Sequence, residues 1–147
     1  MKKVLTCILM FFMLCCLSAQ NRVKRDWQDV AHDIFALHSE GKATDAEVMA
    51  LGVTPLEANL VIYYLALIKA TEELNSQMEH NVYPSTYQEV EAYCYKVEQV
   101  GVCLREFTPN EIADSVFYRS FFFEVADYAK RCNTLTEMLL LYVDMQQ

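Results

Sequence analysis

The residues with the chemistry to hold a metal or move a proton are few and scattered. The histidines are His32, His38 and His80. Asp29-x-x-His32 puts a carboxylate and an imidazole on one helix face, with His38 near the same helix end. A di-iron carboxylate bundle needs two Glu-x-x-His units and two further glutamates. Half of one unit is present, with Asp in place of Glu, and the other spaced carboxylate pair, Glu124-x-x-Asp127, has no histidine beside it. No metal site is assigned, and solvated helix faces are the default. Cys-x-x-Cys-His, Gly-x-Ser-x-Gly, His-Glu-x-x-His and glycine-rich phosphate loops are absent, so no cofactor and no catalytic residue is assigned. A pair of carboxylates drawn from distant helices leaves no linear trace, so a hydrolase of that kind stays open as a third reading.

The cysteines past the first nineteen residues are Cys94, Cys103 and Cys132. Cys94 and Cys103 on one helix would lie roughly 13 Å apart along the axis and on opposite faces. In an antiparallel hairpin turning near Thr108, Cys94 lies level with about residue 122, leaving Cys132 displaced by roughly 15 Å, beyond the reach of a disulfide. Three reduced thiols are expected, with Cys94 buried.

The compartment is set by the first residues. Met1-Lys2-Lys3 is a short basic head, Val4 to Leu17 an uncharged run, and Ser18-Ala19-Gln20 a small-residue exit. That order is a secretory signal peptide cleaved after Ala19, which makes the protein secreted or periplasmic. The alternative is an uncleaved membrane anchor, since the uncharged stretch from Val4 to Asn21 approaches the roughly 20 residues a spanning helix needs. Cys15 and Cys16 follow no Leu-small-small triplet, which excludes a lipoprotein. Arg22-Val23-Lys24-Arg25 resembles a dibasic processing site; the simpler reading, a flexible basic linker over residues 20–25, is preferred.

Without Lys2 and Lys3, ten basic residues face twenty acidic ones, a net charge of about −10. Such a surface repels nucleic acid and anionic lipid, because phosphate binding needs Lys and Arg to displace counterions. A basic partner, a cationic peptide or a divalent ion is compatible with it. The acidity also serves solubility. Some 128 residues make one domain, here 26–147 after the linker.

The elements that must position any site are helices. The capping box, in which a Ser/Thr hydroxyl and a Glu/Gln side chain satisfy each other's backbone amides, occurs at Thr44…Glu47, Thr54…Glu57, Ser85…Gln88, Thr108…Glu111 and Thr134…Glu137. Pro55 and Pro109 occupy first helical positions. Helices are predicted over about 26–38, 45–51, 55–76, 86–100, 109–131 and 135–145, with no sheet. Candidate core positions are Trp27, Val30, Ala31, Ile34 and Phe35 in the first, and Val90, Tyr93, Cys94 and Val97 in the fourth. Nine consecutive apolar residues, Leu60 to Ile68, are too few to span a membrane but mark a helix surrounded by others. The expected fold is therefore an all-α, single-domain bundle of five to six helices around the helix that starts at Pro55.

The fifth predicted helix carries two apolar stripes. One holds Ile112, Val116, Phe117 and Phe123; the other holds Tyr118, Phe122, Val125 and Ala129. Two stripes mean packing on both sides, or one face left for a partner, and the second stripe is the candidate partner-binding face. The leading expectation is an exported acidic helical protein that binds another protein without catalysis. A small-molecule, haem or metal carrier is the alternative. Membrane association is expected only through an uncleaved leader.

Overall fold

The computed structural model describes residues 22–147; the leader, its cleavage site and Gln20-Asn21 lie outside the described residues. Among the described residues the chain is all helical: α1 (Trp27–Ser39), α2 (Asp45–Ala50), α3 (Pro55–Glu79), α4 (Tyr87–Glu106), α5 (Pro109–Asp114) and α6 (Arg119–Gln146). None of these helices is long and apolar enough to cross a membrane.

Thr–Glu boxes start α2, α3, α4 and α5, at Thr44, Thr54, Thr86 and Thr108. The box on α4 sits one residue later than expected. Thr86 and Glu89 cap each other, and the Glu89 carboxylate also accepts from the Ser85 amide at 2.8 Å. A carboxylate outcompetes the neutral Gln88 amide for these donors. At the other end of α2, Gly52 takes φ +77°, a left-handed turn that lets the chain reverse into α3.

The core lies where α3, α4 and α6 meet. α4 runs antiparallel to both partners: Tyr93 meets Thr71 and Cys103 meets Leu56 on α3, while Tyr87 meets Asp144 on α6. α3 and α6 are parallel, joined by Tyr64–Glu124 and Thr71–Cys132. No residue from Leu60 to Ile68 is exposed, so the apolar run is enclosed as expected. Leu60, Val61 and Leu67 are fully buried, each stabilising the fold by about 1.5–3 kcal/mol. α1 and α2 cover α3. Val30, Ala31 and Ile34 bury, while Trp27 is half-buried against the Tyr64 and Phe121 rings. Phe35 is exposed beneath the Lys69 ammonium rather than in the core.

Three expectations about the path of the chain are corrected. The helix predicted over 109–131 breaks at residues 115–118, because Ser115 and the Val116 amide bond to Glu57 rather than continuing a helix, and Phe117 turns fully into the core. The break predicted before Leu135 does not exist. Thr134 lies inside α6 with its hydroxyl bonded back to the Lys130 carbonyl, and buried Cys132, Thr136, Leu139 and Val143 carry the core stripe straight through. Finally, residues 22–25, the described part of the predicted 20–25 linker, lie against the bundle. The Arg25 amide donates to the Val116 carbonyl at 2.7 Å, and Lys24 Nζ donates to the Ser115 and Ala113 carbonyls at 2.6 and 3.2 Å.

Among the described residues the three thiols, Cys94, Cys103 and Cys132, are free, but the expected register was wrong. Cys94 lines a surface groove with Ala129 and Asn133, because α5 and the 115–118 break take up residues before α6 begins. Cys94 is half-buried; Cys103 and Cys132 are buried.

Candidate functional site

A single carboxylate organises one end of the bundle. Glu57 is 2% exposed, yet every acceptor position on it is used. Arg22 donates to both its oxygens at 2.9 Å, Ser115 Oγ donates at 2.6 Å, and the amides of Val116 and Thr54 donate at 3.1 and 2.9 Å. Burial by itself would raise its pKa. The hydrogen bonds from Ser115, the Thr54 amide, Arg22 and the Val116 amide outweigh it and hold the carboxyl below its ordinary value of 4.5. Glu57 thus ties the N-terminal strap (residues 22–25), the start of α3 and the α5–α6 junction into one latch.

The latch matters because α5 has little else to hold it. Its six residues include none that is buried. Its start is capped by Thr108 and Glu111, which exchange hydrogen bonds at 2.8 and 3.2 Å. Its far end is held through Ser115 and Lys24. Held at both ends, α5 forms one wall of an apolar groove against α6 and the last turn of α4. The groove has a volume of about 390 Å³ and is lined by Leu104, Pro109, Ile112, Arg119, Phe122, Phe123 and Ala126. Phe123 is 66% exposed on its lip, with the Arg119 guanidinium 5.9 Å from the ring centre.

The candidate partner face divides in the structure. Phe122, Val125 and Ala129 are buried, and only Tyr118, the residue preceding α6, is exposed. Val125 and Ala129 are core residues facing away from solvent, so the stripe as a whole is not a docking face. The physical reason is the helix break. With 115–118 extended, α6 starts afresh, and this stripe turns onto α3 and α4. The groove instead draws Phe122 from one predicted stripe and Ile112 and Phe123 from the other. Arg119 and Leu104 carried no sequence signal for it, since neither belongs to an apolar stripe of the same predicted helix.

The other sequence candidates do not converge. Asp29, His32 and His38 are exposed, and among the described residues no three His, Cys, Asp or Glu side chains come together. His80 ends α3, its ring nitrogen 2.7 Å from the Ser76 carbonyl. Glu124 accepts from the Tyr64 hydroxyl at 2.9 Å; burial, and after it this hydrogen bond, raises the Tyr64 pKa. Asp127 pairs with Arg131 on the surface. Thr71, Tyr93 and Cys132 form a small polar knot in the core, with Thr71 Oγ1 2.9 Å from the Tyr93 hydroxyl and 3.5 Å from the Cys132 sulfur.

No protein-family model matches the chain, and neither a curated protein nor a solved structure shows significant similarity to it.

Proposed function

We propose that this is an exported, acidic helical protein that acts by non-catalytic binding to another protein through the α5–α6 groove. The observation that carries the reading is the groove itself: Phe123 stands two-thirds exposed beside Leu104, Ile112 and Phe122. A large aromatic ring exposed next to an apolar concavity loses free energy in water and regains it when a partner's apolar side chain covers both. Arg119 on the lip adds a cation that suits a carboxylate or an aromatic ring flanking that side chain. The leader at residues 1–19 supports export, and the net negative charge of the chain argues against nucleic acid and anionic membranes as the surface it meets.

Two measurements test the proposal. A photo-crosslinking amino acid at position 123, in protein expressed in its own host, should yield a discrete adduct that the same group at exposed Met49 does not. Equal adducts from both positions, or none from 123, would refute the groove as the binding site. Export predicts that the mature chain begins at Gln20, which N-terminal sequencing reads directly; a chain that keeps Met1 would instead support the anchored form.

A further inference from the structure

A second concavity, more polar than the first, lies between α3 and α4, with Val102 the aliphatic residue in its lining. It has a volume of about 440 Å³. Asn59 and Tyr63 form the α3 wall; Tyr95, Glu98, Gln99 and Glu106 lie along the α4 wall; and buried Cys103 lies between. We propose that this cleft binds an extended basic segment of a partner protein, seating two Lys or Arg side chains four residues apart against Glu98 and Glu106. The proposal rests on the protein-binding reading and names the chemistry of the partner.

Charge and geometry carry it. Several carboxylates of this chain are engaged in the fold, while others, such as Glu72 and Glu91, are exposed and, among the described residues, unpaired. Glu47, Glu57, Glu89 and Glu111 close capping boxes, while Asp33, Glu40 and Asp127 form ion pairs. Among the described residues Glu98 and Glu106 have neither a hydrogen bond nor an ion pair, and no Lys or Arg lines the cleft. Arg105 folds over Gly101 and borders the neighbouring groove, which Glu98 also reaches, without pairing with it. Glu106 is the last residue of α4, where the outward-pointing carbonyls add partial negative charge to that of the carboxylate. The field reaches the cleft floor: burial, and after it the Glu106 charge, push the Cys103 thiol up to about 11.

The aromatic walls separate this site from a merely acidic surface. Tyr95 is 61% exposed and Tyr63 half-buried, so two rings flank the carboxylates, and aromatic faces attract the cationic heads and apolar stems of Lys and Arg. Glu98 and Glu106 are eight residues apart on α4, about 12 Å along the helix axis. Side chains four residues apart in an extended strand point the same way and are separated by about 13 Å. Two cations at that spacing match the axial separation of the two carboxylates.

The test titrates the isotope-labelled protein with the blocked peptide Lys-Ser-Ser-Ser-Lys and follows amide shifts. Shifts concentrated at Asn59, Tyr63, Tyr95 and Gln99 are expected. The dissociation constant should rise about tenfold in Glu98→Gln/Glu106→Gln, as expected for losing two exposed charge contacts. It should change less than twofold in Glu72→Gln/Glu73→Gln, which removes the same charge from an exposed part of α3 outside the cleft. Both double variants replace exposed side chains, and unchanged far-ultraviolet dichroism confirms that they fold. Equal weakening in the two variants, or shifts spread over the acidic surface, would overturn the proposal. Neither of those results bears on crosslinking at position 123, which reports separately on the α5–α6 groove.

Discussion

Glu57 and Glu98 are the same side chain on neighbouring helices, put to opposite uses. Glu57 is enclosed and surrounded by Arg22, Ser115 and two backbone amides, so its charge holds the strap, α3 and the α5–α6 junction together. Glu98 stands in an open cleft beside Tyr95 and makes neither a hydrogen bond nor an ion pair among the described residues. A carboxylate taken out of water is tolerable only when its hydrogen bonds are replaced, whereas one left in water keeps its hydration until a partner arrives. The contrast teaches that an acidic composition has no single meaning. One carboxylate is part of the fold, and the other is available for binding.

The sharpest way to break that comparison is to remove the latch. Glu57→Ala should cost about 3–5 kcal/mol in urea unfolding, because it strands the buried Ser115 hydroxyl and Val116 amide and leaves Arg22 without its partner. A loss below about 1 kcal/mol would mean that the strap and α5 are held by something other than Glu57.

Acid should act in the same direction. The folded-state pKa of Glu57 lies below its ordinary 4.5, so its stabilisation is fully present above that value and is lost as pH falls through the folded pKa. Glu89 and Glu111 are lowered too, by hydrogen bonds from the Ser85 and Thr86 amides and from the Thr108 amide respectively, and their contributions fade in the same window. Urea midpoints measured from neutral pH to below 4 should therefore fall, and fall less steeply in Glu57→Gln.

Adjacent phenylalanines sharpen the difference between core and groove. Phe122→Ala should destabilise by about 3–5 kcal/mol, because its ring packs against Phe107 and Phe121. Phe123→Ala should leave stability within about 0.5 kcal/mol while removing the ring at the groove lip. Comparable thermal shifts for the two would contradict the assigned burial. A smaller effect, about 1 kcal/mol, is expected for Thr108→Ala, which uncaps α5. The smallest belongs to Glu98→Gln/Glu106→Gln, whose unfolding free energy should stay within about 0.5 kcal/mol of the parent.

Local signals told most about the helix starts. At Thr44, Thr54 and Thr108 the hydroxyl, the glutamate three residues on and, twice, a proline at the first helical position are all neighbours in the chain. Such motifs form from contacts a few residues apart, whatever packs around them. The same motif misled at Thr134. There the surrounding helix carries no glycine or proline and its core stripe continues unbroken, so tertiary burial overrode the local preference. The break at Ser115 was hidden for the converse reason. Residues 109–131 read as one helix until Glu57, 58 residues away from Ser115 in sequence, claims the serine hydroxyl. Arg22 to Arg25 likewise look like a solvated tail, because nothing near them in sequence shows that Glu57, Leu51 and Asp33 lie within reach. The groove was only half visible, since its walls combine residues from two stripes that a single continuous helix would keep apart.

Sequence alone determined that this chain is helical, where the capping boxes start three of its helices, and that Leu60 to Ile68 must be enclosed by other helices. Those properties follow from hydrogen bonds within one turn and from the need to keep an apolar run out of water. Tertiary structure decided which carboxylate is buried and which is open, where the chain bends at Ser115, and which of Phe122 and Phe123 faces solvent. Each of these depends on partners dozens of residues away, and a helix's outward face is defined only once its neighbours are in place.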